Sequence, residues 1–81
     1  MPPSRMPGDL HEKLQALVRA NQCDALIGVL PEVIRQFPQD AEAHHLLGWA
    51  YLRQRRFDEA MPWFQEAVRI DPTAAGSWNN L

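Results

Sequence analysis

Apolar residues recur along this chain at helical spacing, in four segments separated by short polar breaks. In the first, Leu10 to Ala20, the spaced positions are Leu10, Leu14, Leu17 and Val18. Asp9 is placed as its N-cap, with Glu12 three residues on in the arrangement of a capping box. Asn21 and Gln22 interrupt the pattern, as asparagine often does just past a helix. Cys23 or Asp24 opens the second segment, whose stripe is Leu26, Ile27, Leu30, Val33 and Ile34. Pro31 lies inside that stripe, where a proline costs about 3 kcal/mol or more in an unkinked helix. Gly28 weakens the same turn, so a kink or local break is expected near Gly28 to Pro31. Phe37-Pro38 ends the segment, because the residue before proline is pushed out of the helical region.

Asp40 then serves as an N-cap for a helix over Ala41 to Arg53. Ala43, Leu47, Ala50 and Tyr51 line one face of it, and Leu46, Trp49 and Leu52 an adjacent one. A helix apolar over so wide an arc touches neighbours on two sides. Arg55-Arg56 make the next turn. Phe57, Ala60, Met61, Phe64, Ala67 and Val68 form the fourth stripe, with Pro62 near the N-terminal end, where a missing N–H costs least. Asp71-Pro72 stops it, and Thr73 or Ala74 begins a fifth helical pattern that reaches Leu81.

Composition narrows the class without changing this picture. The net charge of −2 leaves no general field for holding phosphate backbones, so nucleic acid is not an expected partner. The basic run Arg53 to Arg56 is read as a solvated turn. One cysteine, Cys23, cannot form an internal disulfide. Nothing therefore points to an oxidising compartment, and a cytoplasmic location is expected. No apolar run approaches the roughly 20 residues needed to span a bilayer, and no membrane partner is expected. Three prolines among the first seven residues make residues 1–8 a poor helix and an expected disordered tail.

The four stripes repeat. At a shift of 34 residues Pro38 falls on Pro72, Leu30 on Phe64, Val33 on Ala67, Leu26 on Ala60 and Asp24 on Asp58. In the forward direction His44 falls on Trp78 and Leu47 on Leu81. At these residues the chain resembles the tetratricopeptide repeat family. Leu47, Gly48, Tyr51, Ala60, Phe64, Ala67 and Pro72 occupy the places of that family's pattern. His44 stands where the pattern has a tryptophan, and Trp78 restores it in the next unit, followed by Leu81. The preceding unit departs, with Leu14 at the glycine position and Leu26 at the small alanine.

The resemblance implies an all-α fold of antiparallel helix-turn-helix units, stacked as a short right-handed α-solenoid with about two units and the start of a third. The expected divisions are 9–40, a degenerate first pair; 41–74, the well-formed unit; and 75–81, a truncated first helix of a further repeat. Such units do not bury their faces alone. A chain with these divisions reads as a fragment of a longer protein, and self-association through an uncapped C-terminal end is a second way to cover it.

No nucleophile stands beside a base, and there is no glycine-rich phosphate loop and no zinc spacing, so no catalytic residue and no cofactor are assigned. Adjacent His44 and His45 point about 100° apart on a helix and do not chelate together. His11 and His45 occupy equivalent places in successive units, but a metal site needs three or four ligands, and no metal is assigned. In the family that this chain resembles, the first helix of each unit lines a concave groove that holds a peptide. The resemblance therefore implies groove residues His11, Gln15 and Arg19, then Glu42, His45, Trp49 and Arg53, then Asn79 and Asn80. Trp49 would either anchor a ligand there or pack on the next unit. The carboxylate clamp for chaperone tails is not expected, because His11, Gln15, Leu46, Gly76 and Asn80 occupy its places. The function implied is a non-enzymatic module binding a protein or peptide segment. The alternative is the N-terminal arm of a larger enzyme, of sulfotransferase, glycosyltransferase or hydroxylase type, that positions substrate.

Overall fold

The computed structural model describes residues 6–72. Four helices follow one another: α1 (Gly8–Arg19), α2 (Cys23–Gln36), α3 (Ala41–Arg53) and α4 (Phe57–Ile70). No strand occurs among the described residues. Each helix packs on the next in the chain, α3 on α4 most extensively and α1 on α2 least. The connections are short, the arrangement that makes sequential helices antiparallel neighbours.

The two intra-unit turns are copies of one another in backbone detail. After α1, the Asn21 N–H bonds the Val18 carbonyl at 3.0 Å and the Gln22 N–H bonds the Leu17 carbonyl at 2.9 Å. After α3, Arg55 bonds Leu52 and Arg56 bonds Tyr51, each at 2.9 Å. This pair of bonds is a Schellman motif, which needs one left-handed residue. Asn21 supplies it with φ 57° and Arg55 with φ 63°. Asparagine tolerates that region; arginine sits in it at a cost of about 1–2 kcal/mol. The helix ends before Pro38 and Pro72 also match, with Phe37 at φ −128° and Asp71 at φ −143°, both extended ahead of a proline.

Helix starts divide into one that is capped and others that are not. Asp40 caps α3 with its side chain, Oδ1 accepting from the Ala43 N–H at 3.1 Å. Its other oxygen, Oδ2, accepts the Met6 N–H at 2.7 Å. Order therefore reaches back to Met6, which is buried, into the stretch expected to be a tail. The capping box at Asp9 does not form: α1 begins at Gly8, Pro7 is its N-cap, and Asp9 lies inside the first turn. Proline's fixed extended geometry ahead of the helix makes the start without a side-chain acceptor.

The break expected near Gly28 to Pro31 is also absent, and α2 runs unbroken from Cys23 to Gln36. Gly28 and Pro31 lie on its exposed side, where a carbonyl deprived of its donor faces solvent. Leu26, Leu30 and Val33 are buried on the other side. At about 1.5–3 kcal/mol for each buried aliphatic side chain, that stripe outweighs the proline. Pro62 likewise stays inside an uninterrupted α4.

Leu14, Leu26, Leu30 and Leu47 are the largest fully buried side chains. The closest helix contact is at Gly48. A Cβ there would stand 3.1 Å from Phe64 Cδ1 and Cε1 and 3.2 Å from the Ala60 carbonyl oxygen. Glycine on α3 and alanine on α4 let those backbones approach. In the first unit Leu14 and Leu26 fill the same two places, are both buried, and accompany the looser contact of α1 with α2.

Candidate functional site

The expected groove residues lie on α1 and α3, the first helix of each unit, and the structure gathers them into two polar clusters. In the first cluster Glu42 of α3 receives two side chains from α1. His11 Nδ1 lies 2.8 Å from Glu42 Oε2, and Gln15 Nε2 donates to Glu42 Oε1 at 3.2 Å. His11 and Glu42 are both partly exposed. An ion pair in that setting contributes about 0–1 kcal/mol, so its main effect is to orient the three side chains.

The second cluster sits at the other end of α3. Arg53 Nε donates to Asn21 Oδ1 at 3.3 Å, and its guanidinium lies 5.6 Å from the centre of the Trp49 ring. A cation over an exposed indole is worth about 0.5–1 kcal/mol. Trp49 is half-buried, one part of its ring packed on the core and the rest at the surface. Arg19 and Arg53, equivalent at the 34-residue shift, are both exposed.

His45 behaves differently from its equivalent His11. It is buried, and its ring centre lies 5.2 Å from that of Phe64 at an interplanar angle of 58°. Burial holds its imidazole below the ordinary value of 6.5, because the charged form loses solvation. Little of this side chain is presented to a ligand. His44 is buried too, its Nδ1–H donating to the Asp40 carbonyl at 2.9 Å and its ring 6.0 Å from Trp63. It fills the tryptophan place of the repeat as a packing residue. No group of three or more His, Cys, Asp or Glu side chains suited to a metal ion occurs among the described residues. Asn79 and Asn80, with Trp78 and Leu81 of the repeat pattern, lie outside the described residues.

Two contributors escaped the sequence pattern. Asn21 was legible as a helix stop, yet its side chain also holds Arg53. Gln54 donates to Asp24 across the same pair of turns. The separations are 32 residues for Asn21 with Arg53, 30 for Asp24 with Gln54 and 27 for Gln15 with Glu42. Polar pairs slightly less than one repeat apart are the signal that finds such contacts between units.

A side-chain arrangement of this kind binds; it does not catalyse by itself. It offers donors, one carboxylate and an indole edge along two helices. No helix among the described residues is long and apolar enough to cross a membrane.

Comparison with known proteins gives one match. A family model described as Tetratricopeptide repeat matches residues 11–75. No curated protein and no solved structure matched the chain. The matched span takes in α2, α3 and α4 whole and most of α1. Together with the repeated Schellman turns and the Gly48–Ala60 contact, it shows that this chain belongs to the tetratricopeptide repeat family.

Proposed function

We propose that this chain is a protein-interaction scaffold that holds an extended peptide segment along the outward side of α1 and α3. Proteins of this family generally bind proteins or peptides and are generally not catalysts. The observation that carries the reading is the strip of partly exposed polar groups bridging the two units. Glu42 with His11 and Gln15 forms one end, and Arg53 with Asn21 over Trp49 forms the other. Gln15 and Asn21 amides serve a peptide backbone, which every sequence carries. Arg19 and Arg53 favour a carboxylate at one end of the ligand, and Glu42 favours a cation or donor at the other. Trp49 supplies the apolar contact area that commonly dominates such interfaces. His45 contributes by packing against Phe64 and shaping the floor.

The test is a selection of displayed linear peptides on the full chain, followed by mapping of a selected peptide by NMR amide shifts. Perturbations are expected to centre on Gln15, Glu42, Trp49 and Arg53. Arg53→Ala is expected to weaken binding about tenfold, as loss of one charge-assisted bond does, with the melting temperature nearly unchanged. Perturbations confined to the outer sides of α2 and α4, or an affinity indifferent to Arg53→Ala and Trp49→Ala together, would refute the reading.

A further inference from the structure

At the 34-residue shift, Phe57, Met61, Phe64 and Val68 of α4 stand where Cys23, Ile27, Leu30 and Ile34 stand on α2. On α2 that stripe is covered. Cys23 and Leu30 are buried, Ile27 and Ile34 are half-buried, and α3 packs on the helix. On α4 the stripe is open: Phe57 is 55% exposed, Met61 53% and Val68 45%. It is a separate side from the one α4 turns toward α3, where Ala60 and Ala67 are buried. The covered copy on α2 shows that a helix is the shape that fits this surface.

The charges beside the stripe choose among helices. Asp58, Gln65 and Arg69 fall at helical spacing along one flank, acidic at the N-terminal end and basic at the C-terminal end. Two α4 helices laid antiparallel about a two-fold axis at the middle of the stripe pair Met61 with the second copy's Phe64, and Phe57 with its Val68. The same arrangement brings each Asp58 beside the other copy's Arg69. A parallel pairing sets aspartate on aspartate and arginine on arginine. Arg69 already reaches Glu66 on its own helix, but its side chain is 61% exposed, and a guanidinium has donors for two carboxylates.

We propose that a second copy of this chain covers the open face of α4, in an antiparallel two-fold dimer with Asp58–Arg69 pairs flanking a seam of Phe57, Met61, Phe64 and Val68. A two-fold contact of this kind is self-complementary and closes at two copies. It leaves the α1 and α3 clusters outside the interface, so it stands independently of the peptide-binding reading.

The test is sedimentation equilibrium of the full chain from micromolar to millimolar concentration, with thermal melting at each concentration. The expected result is a mass that moves from one copy to two, and a melting temperature that rises with concentration. Met61→Glu alters an exposed side chain, so the helical signal should persist while dimerisation weakens at least about tenfold, the effect of placing a charge in an apolar seam. Asp58→Arg and Arg69→Asp should each weaken it, and the two together should restore it. A monomer at every concentration overturns the proposal. So does a dimer indifferent to Met61→Glu, or single charge exchanges that weaken the dimer without rescue by the pair. A monomer that Met61→Glu destabilises equally at all concentrations means that residues 73–81 cover the face from within, and a monomer that binds only another protein there gives the face to a different occupant. Both also overturn it.

Discussion

Gly48 and Gly28 are both mid-helix glycines, and the structure assigns them opposite effects. Replacing a helical glycine by alanine gains about 1 kcal/mol of propensity wherever the new methyl has room. At Gly28 nothing lies within 4 Å of an added Cβ. Gly28→Ala is therefore expected to stabilise by about 0.5–1 kcal/mol. At Gly48 the Cβ would meet the Phe64 ring at 3.1 Å and the Ala60 carbonyl oxygen at 3.2 Å, against an ordinary contact of about 3.5–4.0 Å between carbons. The Phe64 ring can tilt, but the Ala60 oxygen is backbone of α4 and moves only if the helix does. Overpacking costs about 1–3 kcal/mol, so Gly48→Ala nets about 0–2 kcal/mol of destabilisation. Gly48→Leu carries three more heavy atoms into the same contact and belongs at the upper end, about 3 kcal/mol or more. In a domain of this size about 1 kcal/mol moves the melting temperature by roughly 4–8 °C. Gly48→Leu should thus melt at least about 12 °C lower than the parent, and Gly28→Ala several degrees higher. Circular dichroism melting at one fixed protein concentration measures both. If Gly48→Leu melts with the parent, the close approach of α3 and α4 does not exist in solution.

Other substitutions probe the turns, the cap and a buried imidazole. Asp40→Ala removes the acceptor for the Ala43 and Met6 amides and is expected to cost about 1–3 kcal/mol by urea denaturation, with Asp40→Asn intermediate. Arg55→Gly places in the left-handed turn the residue that occupies it without strain, and should raise stability by about 1 kcal/mol in the same assay. His45 has a folded-state pKa below its ordinary 6.5, so the unfolded chain binds its proton first as pH falls. Its contribution to stability is complete above about 6.5 and is lost progressively as the pH drops below that value. Melting between pH 7.5 and 5 should show this decline, and His45→Phe should flatten it; an unchanged slope in that variant would place the proton elsewhere.

The sequence by itself determined the four helices, because each carries a 3.6-residue apolar stripe between proline, asparagine or aspartate stops. Bounds at Cys23, Ala41 and Arg53 follow from those stops, and the 34-residue shift makes the second unit a copy of the first. Gly48 and Ala60 were legible as a close contact because only small side chains suit one. What local pattern misjudged were Asp9 and Pro31. A capping acceptor is useful only where the chain turns at that residue, and here the turn falls at Pro7. A proline breaks a helix only where packing does not hold it, and Leu26, Leu30 and Val33 hold α2 together.

Tertiary structure decided how equivalent positions diverge. His11 and His45 occupy the same repeat position, but one reaches Glu42 at the surface and the other is buried on Phe64. Phe57 and Cys23 likewise share a position, and only the cysteine is covered. Periodicity places a side chain on a face of its own helix. Whether that face meets a neighbour depends on what stands beside the helix, which is a property of the assembled chain.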